Sequence, residues 1–184
     1  MEEFDYSKLK HCGKDVRIAG SVVIKYPDLV SIGNHVAIDG FCYITTALEI
    51  GDYVHIAPFC SIIGGRGARC ILKDFSGLSA GCRIICGSDD YLGSGLTNPT
   101  VPDAYHADLH IDPVILEKHA LLGTNCVVHP GVTLGEGATV GSCSLITKSL
   151  APWQIYLGIP AKPYKERERQ RILEMEAKLR REIG

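Results

Sequence analysis

The chain is short of nearly every feature that would take it to a membrane, a nucleic acid or an oxidising compartment. No apolar run approaches bilayer-spanning length, and the opening Met1-Glu2-Glu3-Phe4-Asp5 is acidic where a secretory leader needs a basic start and an apolar stretch. Membrane insertion is therefore not expected, and a cytosolic protein is the reading that remains. The formal net charge is only −2, which gives no footing for a nucleic-acid partner. Cysteine is plentiful, at eight residues, but no Cys-x-x-Cys pair occurs, so neither structural zinc nor a disulfide framework is expected. What the chain does have is apolar side chain, 46% of its 184 residues, enough for a sizeable core in one domain.

Those apolar residues follow a beat. From 116 to 148 an aliphatic residue returns at every sixth position: Leu116, Leu122, Val128, Leu134, Val140 and Ile146. The same beat runs through Ile32, Ile38, Ile44, Ile50, Ile56 and Ile62, and opens more loosely at Ile18 and Ile24 before slipping by two residues around Tyr26-Pro27-Asp28. The fifth place of each unit is compact, and Cys42, Cys60, Cys82 and Cys126 all occupy it, as small core fillers would. A six-residue period suits neither a lone amphipathic helix nor a two-residue sheet alternation. It suits a parallel β-helix whose aliphatic residues stack inward.

Interruptions to the beat are as informative as the beat. Gly64-Gly65-Arg66-Gly67 pushes the next in-register residue to Leu72, so four residues bulge from the coil. From 87 to 113 the repeat stops, and a loop that long inside a compact repeat domain is usually functional. It carries Ser88-Asp89-Asp90-Tyr91, Asn98, His106 and His110. Residues 1–15 lack the repeat and read as a short helix or cap. The coil domain is assigned to 1–162 and a C-terminal helix to 163–184, with a periodic stretch over 164–182 that places Ile172, Met175, Leu179 and Ile183 on one stripe. His35 and His119 take fourth places, where exposed polar residues are expected, so they read as face or interface residues. His106 and His110 are spaced as metal ligands on a helix would be, but lack a third ligand, so loop surface is expected. No role is assigned to His129.

The repeat, together with the ending Ile146-Thr147-Lys148 and Gly158-Ile159-Pro160-Ala161-Lys162, resembles the hexapeptide-repeat acyltransferases over roughly residues 16–165. The resemblance implies an all-β, left-handed parallel β-helix with three hexapeptides per coil, a homotrimer, and acetyl-CoA or another short acyl-CoA as cosubstrate, with no metal. It implies that Thr124 and Ser142 mark where backbone amides hold the pantetheine arm. Thr147 and Lys148 would lie near the adenine, and Lys162 and Lys165 would reach the nucleotide phosphates. A narrower resemblance, to nucleotide-aminosugar acyltransferases of O-antigen synthesis, rests on Ile50-Gly51-Asp52-Tyr53-Val54-His55-Ile56-Ala57, Asp74-Phe75-Ser76-Gly77-Leu78-Ser79, Gly87-Ser88-Asp89-Asp90-Tyr91, the 96–102 run and Lys148-Ser149-Leu150-Ala151-Pro152-Trp153. It implies N-acylation of a nucleotide-linked aminodideoxy sugar, of the dTDP-4-amino-4,6-dideoxyglucose type, with Asp90, Tyr91 and Asn98 on the substrate.

Galactoside and maltose acetyltransferases carry a catalytic histidine where Asp89 stands here. An amine acceptor needs only to lose a proton, which a carboxylate can take. His55 is the other candidate. A related branch places its base nine residues before the equivalent histidine, but here that residue is Thr46, so His55 is read as the base, as a donor to the thioester carbonyl, or as a polar face residue. A coil-glycine amide is expected to steady the oxyanion. Five hexapeptides separate His55 from Asp89 once the bulge is removed, or one and two-thirds turns, which puts them on different faces of one chain. They are expected to meet across a subunit boundary. The rival readings are a sugar O-acetyltransferase, a metal-dependent carbonic anhydrase on the same coil, and a noncatalytic β-helix scaffold.

Overall fold

The computed structural model describes residues 4–183. The chain winds as a left-handed parallel β-helix of three faces. Face I begins with His11–Cys12 and Val30–Ile32 and ends with Thr133–Leu134. Face II holds Arg17–Ile18, Ala37–Ile38, His55–Ile56, Gly77–Leu78, Leu121–Leu122 and Thr139–Val140. Face III holds Val23–Ile24, Tyr43–Ile44, Ser61–Ile63, Arg83–Ile85, Val127–Val128 and Leu145–Ile146. The chain passes from I to II at a first corner, from II to III at a second, and from III back to I at a third. Both interruptions, the bulge at 64–67 and the loop at 87–113, leave from the third corner, so faces I to III stay in register across them: Leu78 pairs with Leu122 as directly as Ile38 pairs with Ile56.

The six-residue period follows from packing. One aliphatic side chain per unit points in and is 2% exposed or less at Ile38, Ile56, Leu78 and Leu122, and the compact fifth-place residue fills the space beside the bend. The fifth-place cysteines are free thiols that donate to carbonyls of the adjacent coil, Cys60 to Ser79 at 3.2 Å and Cys82 to Gly123 at 3.1 Å. The fourth place turns the corner in a left-handed conformation: His35, Tyr53, Phe75, His119 and Trp153 have φ between +54° and +61°. That conformation costs a non-glycine residue about 1–2 kcal/mol. Here the cost is offset by stacking, for the rings form a ladder along the first corner with centroids 4.7, 5.0, 5.1 and 6.0 Å apart. Gly137 leaves the room that Trp153 uses, since a Cβ there would lie 2.4 Å from the indole.

The two ends differ from the sequence expectation. The coil already begins at His11–Cys12, below a short helical turn at Tyr6–Lys8. At the other end the helix, α1, starts at Gln170 and runs Gln170–Ile183, because Lys162–Glu166 is instead an antiparallel strand on Gln154–Leu157. Once the strand has ended, Arg167 donates to the His119 and Gly137 carbonyls, and α1 runs back along the first corner until Arg180 reaches Asp74 at 2.9 Å. The side of α1 that meets the coil is not wholly apolar. Met175 is exposed, and Glu176, 8% exposed, sits between Ile172 and Leu179. Its carboxylate accepts from Lys118 and Arg180 at 2.6 Å and from His119 at 2.8 Å. Burial alone would raise the Glu176 pKa, but these donors outweigh it and hold the group at about 2. His119, expected on the surface, is therefore 6% exposed: α1 covers the corner that the repeat alone would leave open.

Candidate active site

Face II carries the first half of the site. His55 points outward between Ala37 and Gly77 of the flanking coils, with its Nε2 2.8 Å from Asp39 Oδ2. A carboxylate can only accept, so Nε2–H donates to Asp39 and the neutral ring keeps its lone pair on Nδ1. Asp39 was not among the expected site residues. The signal was available, because one coil is 18 residues and Ala37 is the register partner of His55, which puts Asp39 two places along on the same outward face. Thr46, by contrast, is buried with its hydroxyl unpartnered, and takes no part at this surface.

A shallow groove of about 530 Å³ runs from His55 along Gly77, Ser79, Leu121 and Gly123 to Val140. Gly77 opens it, since a Cβ there would come within 3.2 Å of the Leu121 side chain. A second depression, of about 720 Å³, adjoins His55 on the other side and is lined by Tyr6, Arg17, Ile38 and Asp39. Along and beside the groove, the coil glycines do not supply the free oxyanion donor expected. The amides of Gly77, Gly81, Gly123 and Gly141 donate to the carbonyls of Ala120, Pro58, Val140 and Tyr156. The pairing that closes the coils together uses them up.

The third corner carries the other half. Gly87–Ser88 pairs antiparallel with His110–Ile111 and closes the base of the 87–113 loop. Between the loop and the bulge lies a cleft of about 790 Å³ whose walls include Asp89, Asp103, Asp108, His106 and Val101. His106 is not loop surface, as its spacing suggested. Its side chain is 16% exposed and its Nε2 lies 3.8 Å from Asp89. Asp90 is engaged by the loop itself, accepting from the amides of Leu92 and Ser94 at 2.8 and 2.9 Å. Tyr91 stands 85% exposed, and Asn98 holds a left-handed bend at φ +79°. His55 and Asp89 line different depressions on different sides of the column, as the residue count requires.

The residues carried over for a cofactor also divide. Thr124 and Ser142 are exposed neighbours on the second corner, joined by the Cys143 amide on the Thr124 carbonyl, and Lys162 and Lys165 follow on the strand that ends face II. Thr147 and Lys148 lie beyond face III on the third corner. The turn at 158–161 bridges part of that gap, with Ala161 donating to Leu145 at 2.8 Å. Among the described residues no three His, Cys, Asp or Glu side chains converge as a metal site would need.

Residues 113–148 match the family model for the bacterial transferase hexapeptide (six repeats). The dTDP-4-amino-4,6-dideoxy-D-glucose acyltransferase of Escherichia coli is 35% identical over 171 residues, 91% of this chain and 87% of that protein. The chain is a hexapeptide-repeat acyltransferase. Within this family the N-acyltransferase AntD from Bacillus cereus, solved with dTDP and 3-hydroxybutyryl-CoA, superposes with a TM-score of 0.91 at 34% identity, covering 96% of this chain and 93% of that one. A maltose O-acetyltransferase from Clostridium difficile superposes at 0.61 with 15% identity over 89% of this chain and 72% of its own, a likeness of fold alone. Family membership removes the scaffold and carbonic anhydrase readings.

Proposed function

We propose that this acyltransferase moves a short acyl group from acyl-CoA to the amino group of a nucleotide-linked aminodideoxy sugar, with dTDP-4-amino-4,6-dideoxyglucose the foremost acceptor. The observation that carries the reading is the charge of the loop cleft. Asp89, Asp103 and Asp108 line it with His106, so the cleft is net acidic even with a cationic imidazole, and it favours a basic amino group over a neutral hydroxyl. An AntD variant has been solved with dTDP-4-amino-4,6-dideoxyglucose and coenzyme A, at 34% identity to this chain and a TM-score of 0.90. AntD variants have also been solved at a serine and at an aspartate ten positions further on, the separation of Ser79 and Asp89 here.

In this reading the pantetheine arm lies along the face II groove, near Thr124 and Ser142, with the phosphates toward Lys162 and Lys165 and the thioester beside His55. A neighbouring copy presents its third corner, bringing Asp89, Asn98, Thr147 and Lys148 to the same seam. The functional unit is then a homotrimer with three shared sites. Exposed Phe41 and Phe59, stacked 5.3 Å apart on the second corner beside exposed Val23 and Tyr43, support burial of this edge against another copy. The amine lone pair attacks the thioester carbon and the C–S bond breaks. His55 Nδ1 or Asp89 accepts the proton lost by nitrogen, and the hydroxyl of Ser79, which lines the same groove as His55, steadies the oxyanion. Cytoplasmic action in O-antigen or other surface-polysaccharide synthesis fits such an acceptor; no described helix is long and apolar enough to cross a membrane.

Thiol release from acetyl-CoA and 3-hydroxybutyryl-CoA, assayed against dTDP-, UDP- and GDP-aminosugars, tests the proposal. Turnover with a 4-amino-4,6-dideoxy sugar is expected. Turnover only with the corresponding hydroxyl sugars would replace it with O-acylation.

A further inference from the structure

We propose that His106 is a positioning residue: a doubly protonated imidazole that staples the two arms of the 87–113 loop and sets Asp89 toward the acceptor amine. His106 Nδ1 lies 2.8 Å from the Ala107 carbonyl oxygen and Nε2 lies 3.0 Å from the Asn98 carbonyl oxygen. Carbonyl oxygens only accept, so both ring nitrogens must donate, and only the cationic form has both protons. A neutral ring would set one lone pair against another across the loop.

The surroundings are built around that ring. Leu96 donates to Tyr105 and Ala107 donates to Leu96, which lays the two arms side by side. Gly95 permits the approach, for a Cβ there would meet the Ala107 amide at 2.8 Å. Asn98, in its left-handed bend, directs its carbonyl to Nε2 while its side chain accepts from the Thr100 amide at 3.1 Å. The same Nε2 stands 3.8 Å from Asp89 Oδ1. The titratable groups around the ring are Asp89 and Asp103, with Asp108 lining the same cleft, all acidic. The pKa of His106 is raised, first by the Ala107 carbonyl and then by Asn98, Asp89 and Asp103, against an opposing effect of burial. A raised value makes the staple complete below the ordinary histidine pKa, and loosens it as pH climbs through the raised one.

The step from staple to catalysis rests on the aminosugar reading above, so the test has a part that needs no substrate. Ring-nitrogen NMR of the full-length protein, with His106 assigned through His106→Gln, is expected to show a pKa above the ordinary 6.5, so that both nitrogens are mostly protonated at that pH. A ring mostly in a neutral tautomer at pH 6.5 would overturn the proposal whatever the substrate. In steady state, His106→Gln should raise KM for the aminosugar about tenfold below the ordinary histidine pKa, as loss of a charge-assisted contact does, with KM for acyl-CoA unchanged. The wild-type aminosugar KM should climb with pH through the measured His106 pKa, and this step should vanish in His106→Gln. A step that survives in the variant would equally overturn it. Absence of any aminosugar turnover in the wild type would sink the proposed function and leave the NMR result standing.

Discussion

His55 Nε2 lies 2.8 Å from Asp39 Oδ2, one coil below it on the same face, and this pairing leaves Nδ1 as the free basic nitrogen beside the groove. Of the roles open to His55, that arrangement favours proton acceptance over donation to the thioester. His55→Ala should then lower kcat by about 10²–10³-fold, within the range for one general base. Asp39→Asn, which removes the tautomer preference but leaves the imidazole, should cost about tenfold. Steady-state kinetics decide. If His55→Ala and Asp89→Asn each keep wild-type kcat, neither is the base, and the departing thiolate or solvent takes the proton.

His55 and Asp89 occupy separate depressions of one chain, so a shared site requires two chains. Light scattering should give a trimer. Mixing inactive His55→Ala with inactive Asp89→Asn after subunit exchange should restore activity at about a quarter of the sites, the share in which both intact residues face each other. A monomer with full activity contradicts the arrangement.

Gly77 keeps the groove open beside His55. Gly77→Val should raise KM for acyl-CoA by about tenfold or more, with little change in melting temperature, because the added side chain projects outward from the coil. A melting temperature that collapses with the activity would instead mark Gly77 as structural.

The Glu176 carboxylate, held at about 2 by Lys118, Arg180 and His119, ties α1 to the first corner. Its folded pKa lies below the ordinary 4.5, so its contribution is complete above that value and declines as pH falls toward about 2. Hydrogen exchange should show α1 amides opening over that acid range while the coil stays protected. Glu176→Gln should release the helix at neutral pH, at a cost of about 3 kcal/mol for breaking a buried charge cluster.

Ile44 is 1% exposed inside the coil. Ile44→Asp forfeits about 1.5–3 kcal/mol of apolar burial and adds a buried, unpaired charge. Loss of the cooperative thermal transition is expected, and this separates damage to the fold from damage to the chemistry.

Different parts of the site were legible to different degrees. The separation of His55 from Asp89 could be counted, because both sit at known places in a fixed period. His119 was misplaced for the same reason: a fourth place is exposed in a bare coil, and only the return of α1 covers it. The sequence pattern starts the C-terminal helix too early because the stretch 162–166 carries charges that suit either a helix or an exposed edge strand, and its pairing with Gln154–Leu157 decides between them.

The sequence by itself determined the column. Its period is a local rule, one inward aliphatic residue per six residues, with a left-handed residue turning most of the corners. Tertiary structure alone decided where the aperiodic segments travel, and therefore the ion cluster at Glu176 and the contacts of His106 across the loop. Those contacts join residues whose spacing obeys no period: the path of a loop or a returning helix is set by the partners it finds, and a one-dimensional pattern does not contain them.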